Sequence, residues 1–80
     1  MELVKQIRKE VGVKQYVLAE RLGVNQGNYA NIENGKLIPN NLEQIEKSAL
    51  MFLKPLLLNK IVSIGNHLTL LRDLDKKIKI

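Results

Sequence analysis

Residues 15–35 read QYVLAERLGVNQGNYANIENG, and the punctuation of this stretch decides the fold. Leu18, Ala19 and Leu22 recur at helical spacing, which predicts a helix over 15–22. Gly23 ends it, because glycine adopts the positive φ of a helix stop at little steric cost. Asn25 is placed to cap the next helix by accepting a backbone N–H. That helix covers 26–33 and closes at Asn34-Gly35. Ala19 is small where the two helices must cross closely, and the apolar Val24 plugs the space beneath the turn. Two short helices joined by Gly23-Val24-Asn25 are the physical recipe of a helix-turn-helix.

Outward from this pair the chain also reads as helix. Residues 2–11 set Leu3, Val4, Ile7 and Val11 on one face, and Gly12 is a natural stop. Pro39 with two asparagines marks a loop over 36–40. Asn41 and Gln44 have the spacing of a capping box for a fourth helix. It is expected to run to about Leu53, with Leu42, Ile45, Ala49 and Phe52 inward. Pro55 lacks an N–H and should kink that helix or begin another. A last helix is expected over about 56–77, with Gly65-Asn66 as a potential break and the alternating Lys76 to Ile80 end as an alternative strand. The expectation is an all-α bundle of about five helices, with residues 1–55 as a core and 56–80 as a C-terminal element of the same domain.

Composition narrows the function. Eighty residues favour one domain, and a chain this small buries only about 60–65% of its unfolded surface. With no cysteine there is neither disulfide nor thiolate metal site, and a single histidine, His67, excludes a multi-histidine site. Stability must come from helix packing, helped or not by a second subunit. The net charge of +5 favours a polyanionic partner, although the same charge also serves plain solubility. The Met-Glu-Leu-Val-Lys start is not that of a signal peptide, and the apolar runs are far short of the roughly 20 residues of a bilayer span. A cytoplasmic setting without membrane contact is expected. No Ser-His-acid set, phosphate-cradling glycine loop or paired catalytic carboxylates occur, so an enzyme is the least favoured class and no cofactor or metal is expected.

Over residues 3–45 the chain resembles the Cro/repressor family of DNA-binding domains, also called the XRE family. The resemblance is carried by Gln15, Leu18-Ala19, Leu22-Gly23, Val24, Asn25, Ile32, Glu33 and Gly35, with Ile7-Arg8 and Gly12-Val13 upstream. It implies a lambda-repressor-like helix-turn-helix fold and binding of double-stranded DNA. It also implies that Arg8 and Glu33 form a structural ion pair. By the same resemblance, Gln15 bonds a phosphate and steadies Gln26. There are departures: Lys14 stands where a Ser or Thr cap is usual, Tyr16 and Val17 replace polar residues, and Gly27 lies inside the second helix. No Arg occurs between Lys36 and Leu42, where some members send one into the minor groove.

Geometry points to the DNA-facing residues independently. At about 100° per residue, Tyr29 and Ile32 share an inward face, while Gly27, Ala30, Asn31 and Asn34 lie opposite. Such a helix reads base edges from its N-terminal part, and Gln or Asn pairs bidentately with adenine. Gln26 and Asn31 are the expected base readers, with Gly27, Asn28 and Ala30 beside them. Lys14, Gln15, Asn34 and Lys36 are the expected phosphate contacts.

Leu57, Ile61, Ile64, Leu68, Leu71 and Ile78 follow spacings of four and three, with Asp75 in the one gap, as in a coiled-coil seam. Leu58, Val62, Leu70 and Leu74 widen the apolar surface, which equally suits a face covering the chain's own core. The expected role is mixed: the early part caps the domain and the later part joins a second copy. The leading functional expectation is a homodimeric transcriptional repressor. The alternative is an antitoxin that binds a protein toxin and autoregulates its operon.

Overall fold

The computed structural model describes residues 1–59 and 64–78, and side chains over 1–59 and 68–78. Five helices follow one another: α1 (Glu2–Val11), α2 (Gln15–Leu22), α3 (Gln26–Glu33), α4 (Leu42–Asn59) and α5 (Ile64–Ile78). No strand occurs among the described residues, so the fold is all-α and of the lambda-repressor type. Lys76, Lys77 and Ile78 continue α5 and do not form an extended end. No helix among them is long and apolar enough to cross a membrane.

The first three helices stop in the same way. At the end of α2 the Val24 N–H donates to the Ala19 carbonyl at 2.9 Å and the Gly23 N–H to Glu20 at 3.2 Å. This paired closure requires a left-handed residue at the turn, and Gly23 sits at φ 70°. At the end of α3 the Lys36 N–H reaches the Asn31 carbonyl at 2.8 Å, with Gly35 at φ 81°. A Cβ at either glycine would force the chain out of a conformation that L-residues rarely adopt. The start of α3 is fixed just as firmly: Asn25 Oδ1 accepts from the N–H groups of Gly27 (2.9 Å) and Asn28 (3.3 Å). Lys14, by contrast, starts α2 without a side-chain cap.

The core gathers Val4 and Ile7 from α1, Leu18 and Ala19 from α2, Tyr29 from α3, Ala49, Leu50, Leu53 and Leu57 from α4, and Leu74 from α5. Helix α4 is its spine, packing on both α1 and α5. Its buried stripe, Ala49, Leu50, Leu53 and Leu57, falls within one helical face of about 100°. Of the inward residues expected from spacing, Ala49 is buried, Phe52 packs half-buried against the core, and Leu42 and Ile45 are half-buried. The Phe52 ring instead receives Arg21 of α2, whose guanidinium carbon stands 4.9 Å from the ring centroid.

Two expectations about the C-terminal half are corrected. Helix α4 neither ends at Leu53 nor restarts at 56; it runs through Pro55 to Asn59. The carbonyl that loses its donor to Pro55 belongs to Met51, an exposed residue. Leu53 and Leu57, buried on either side of the proline, anchor the helix across the defect. As a result Leu57, expected at a dimer seam, lies in register with Leu50 and Leu53 inside the chain's own core. Gly65-Asn66 likewise does not break the last helix but lies within the first turn of α5. Of the remaining seam, Leu71 and Ile78 pack half-buried against the core, whereas Leu68 is 61% exposed. Ile61 and the side chain of Ile64 fall outside the described residues.

Ion pairs lace α5 to α4: Lys54 meets Asp75 at 2.7 Å and Lys77 meets Glu46 at 3.4 Å. Both are solvent-accessible and contribute little compared with burial of Leu74. Leu74→Ala should therefore cost about 2–5 kcal/mol, and Leu68→Ala no more than about 0.5 kcal/mol. Urea unfolding of both variants, followed by circular dichroism, measures the difference.

Candidate nucleic-acid interface

Helix α3 has two sides of opposite chemistry. Tyr29, Ile32 and Glu33 are buried, while Gln26, Gly27, Asn28, Asn31 and Asn34 are exposed. Ala30 is half-buried at the edge between them. The exposed side carries amides and bare backbone and no ionised group. Gly27 leaves a gap between Gln26 and Asn28, and a Cβ there would stand 3.3 Å from the capping oxygen of Asn25. A neutral, amide-rich helix face matches the donor and acceptor pattern of base edges in a major groove.

Inside, the carboxylate of Glu33 collects four donors. Arg8 of α1 approaches it bidentately, Nη2 to Oε1 at 2.8 Å and Nε to Oε2 at 2.9 Å. The Tyr29 hydroxyl donates to Oε2 at 2.6 Å, and Gln15 Nε2 to Oε1 at 3.2 Å. Arg8 spends Nη1 on the Val13 carbonyl at 2.9 Å, tying in the α1–α2 turn. The side chain of Glu33 is fully buried, and no buried side-chain nitrogen or oxygen among the described residues lacks a partner. A buried pair of this kind tolerates its desolvation because each carboxylate oxygen accepts two hydrogen bonds and each guanidinium nitrogen donates one.

Burial raises the Glu33 pKa, but hydrogen bonds from Arg8, then Tyr29 and Gln15, together with the charge of Arg8, outweigh it and hold the carboxyl below its ordinary 4.5. Burial pushes the Tyr29 phenol well above its ordinary value, reinforced by its hydrogen bond to Glu33 and the charge of that carboxylate.

A groove beside α3 is lined by Lys5, Arg8, Lys9, Lys14, Gln15, Tyr16, Gln26 and Asn34. It brings Lys14, Gln15, Gln26 and Asn34, separate in sequence, to one surface, and no carboxylate lines it. Lys36 is exposed beyond the end of α3 and does not line this groove. Sequence reasoning passed over Lys5 and Lys9. The Lys5 Nζ donates to Asn34 Oδ1 at 3.3 Å across 29 residues, and only the packing of α1 on α3 reveals that proximity. The Tyr29 hydroxyl was also passed over, although its four-residue spacing from Glu33 on one helix was visible.

A glycine-turned pair of short helices, the second exposing an amide face beside a cationic groove, defines a helix-turn-helix domain. The helix-turn-helix family model matches residues 4–43, half of the chain, and the chain belongs to that family, the XRE type of helix-turn-helix domain. Comparison with curated proteins and with solved structures gave no match. The family is one of DNA-binding transcription regulators.

The sign of the Glu33 shift sets an acid limit on the fold. A carboxyl whose pKa is lower folded than unfolded contributes its full stability above the unfolded value, and loses it as pH falls through the folded one. Wild-type stability in urea should therefore decline below about pH 4.5. Glu33→Gln should be less stable at pH 7 and show a shallower decline on acidification, measured as the urea midpoint across a pH series.

Proposed function

We propose that the chain is a sequence-specific repressor that binds duplex DNA as a homodimer, in the cytoplasm. The observation that carries this reading is the exposed amide face of α3 beside a groove lined with lysines. Gln26, Asn28 and Asn31 read base edges, with Gly27 and Ala30 allowing close approach. Lys14, Gln15, Asn34 and Lys36 hold phosphates. The net charge of +5 supports association with a polyanion. Occupying a promoter requires nothing further of the domain than tight, selective binding.

Reading and holding separate experimentally. A duplex selected from a random pool by the protein itself serves as operator, and an unrelated duplex as reference. Asn31→Ala should cost about 1–3 kcal/mol on the operator and little on the reference. Lys36→Ala should weaken both alike and make the slope of log K against log salt shallower by about one unit. An absence of binding by the wild type, even at low salt, overturns the reading.

Two heads on one side of the duplex place half-sites about 34 Å apart, one turn of DNA. Sedimentation should show a dimer on a two-half-site duplex. A single protomer bound at saturation, with only monomer free in solution, refutes the homodimer.

A further inference from the structure

The Glu33 carboxylate does more than neutralise Arg8. An ionised carboxylate only accepts hydrogen bonds, so its contact with Gln15 is possible in one sense of the amide alone. Nε2 must face Glu33 Oε1, and the group is held there at 3.2 Å. The carbonyl and the second N–H of Gln15 remain for other partners. Gln15 is half-buried and borders the cationic groove together with Lys14, Gln26 and Asn34. At a phosphate the two senses of that amide are far from equivalent. One sets an N–H against an anionic oxygen, and the other sets a carbonyl oxygen there, acceptor against acceptor. A free glutamine would sample both and many rotamers besides, and ordering it on binding costs conformational entropy.

We propose that Glu33 is a positioning residue for DNA binding: from inside the core it locks the Gln15 amide with its remaining N–H available to a backbone phosphate. The carboxylate is itself immobilised by Arg8 and Tyr29, so three buried groups pre-organise one phosphate contact. In the same groove Lys5 donates to Asn34 Oδ1, which leaves the Asn34 amide with its two N–H donors free for phosphate. The inference rests on the DNA-binding reading.

A double-mutant cycle tests it with Glu33→Gln, Gln15→Ala and the double variant, by affinity for the selected operator at constant salt. Glutamine at 33 offers both a donor and an acceptor, so it no longer dictates the sense of Gln15. Glu33→Gln should weaken binding about tenfold, the size of one hydrogen bond to a charged group, and should have no further effect once Gln15 is alanine. Equal losses in the two backgrounds would make Glu33 scaffold only and overturn the inference while leaving DNA binding intact. Wild-type protein that binds no duplex would overturn the reading beneath it instead. Should Glu33→Gln fail to fold, nuclear magnetic resonance of the wild-type Gln15 side chain decides. Without DNA, the Nε2 proton bonded to Glu33 is expected downfield and protected from solvent exchange, and the other Nε2 proton should shift downfield when the operator is added. Two Nε2 protons that both exchange freely with solvent at the shifts of an exposed glutamine would overturn the proposal.

Discussion

The carboxylate of Glu33 is the point on which the first three helices converge. Its four donors come from α1, from the first residue of α2 and from the preceding turn of α3. Removing any one of them leaves either a buried charge or an unused lone pair, and in a low-dielectric interior both are costly. The hydrophobic core brings these helices together without specifying their angles closely, because apolar contact is non-directional. The directional part of the assembly is supplied by the fork of Arg8 meeting the two oxygens of Glu33. Arg8 then passes the constraint on to the α1–α2 turn through Val13.

This constraint gives the short helices their rigidity. Helices of eight residues are not stable alone in water, and α2 and α3 each have only that length. Their ends are closed by backbone bonds at Gly23 and Gly35 and by the Asn25 cap, and their inner faces are pinned by Leu18, Ala19 and Tyr29. The longer α4 and α5 lie behind them and close the core with Leu50, Leu53, Leu57 and Leu74. The amide face of α3 is thus carried on a support whose polar and apolar parts are both fully engaged.

The first half of the chain was legible because its signals are local. Glycine stops, the Asn25 cap and the inward spacing of Tyr29 and Ile32 need no knowledge of distant residues. The second half was read less well because its outcome depends on tertiary balance. Proline disfavours a helix interior, yet here Leu53 and Leu57 are buried on both sides of Pro55 and Met51, the residue whose carbonyl loses its donor, is exposed. The four-three spacing from Leu57 to Ile78 was visible, but an apolar stripe has the same chemistry whether its partner is another subunit or its own chain. The structure spends Leu57 and Leu74 internally. Among the candidate site residues, Ala30, expected on the exposed side, is half-buried, whereas the exposure of Gly27, Asn31 and Asn34 followed from periodicity. The approach of Lys5 to Asn34 did not, since nothing at either position points to a residue 29 places away.

The separation of the two sides of α3 has an evolutionary consequence. Gln26, Asn28 and Asn31 project into solvent, whereas the groups that hold the helix in place are Tyr29, Ile32 and Glu33. Exchanging an exposed side chain away from caps and buried networks changes stability by only about 0.5 kcal/mol. Descendants of this sequence are therefore free to drift in the outer positions and acquire new partners without first gathering compensating changes in the core. Gly27 is the exception, because any side chain there crowds the cap that starts the helix. The same division makes the domain a practical scaffold for retargeting, with three positions to randomise and a fixed interior to leave alone.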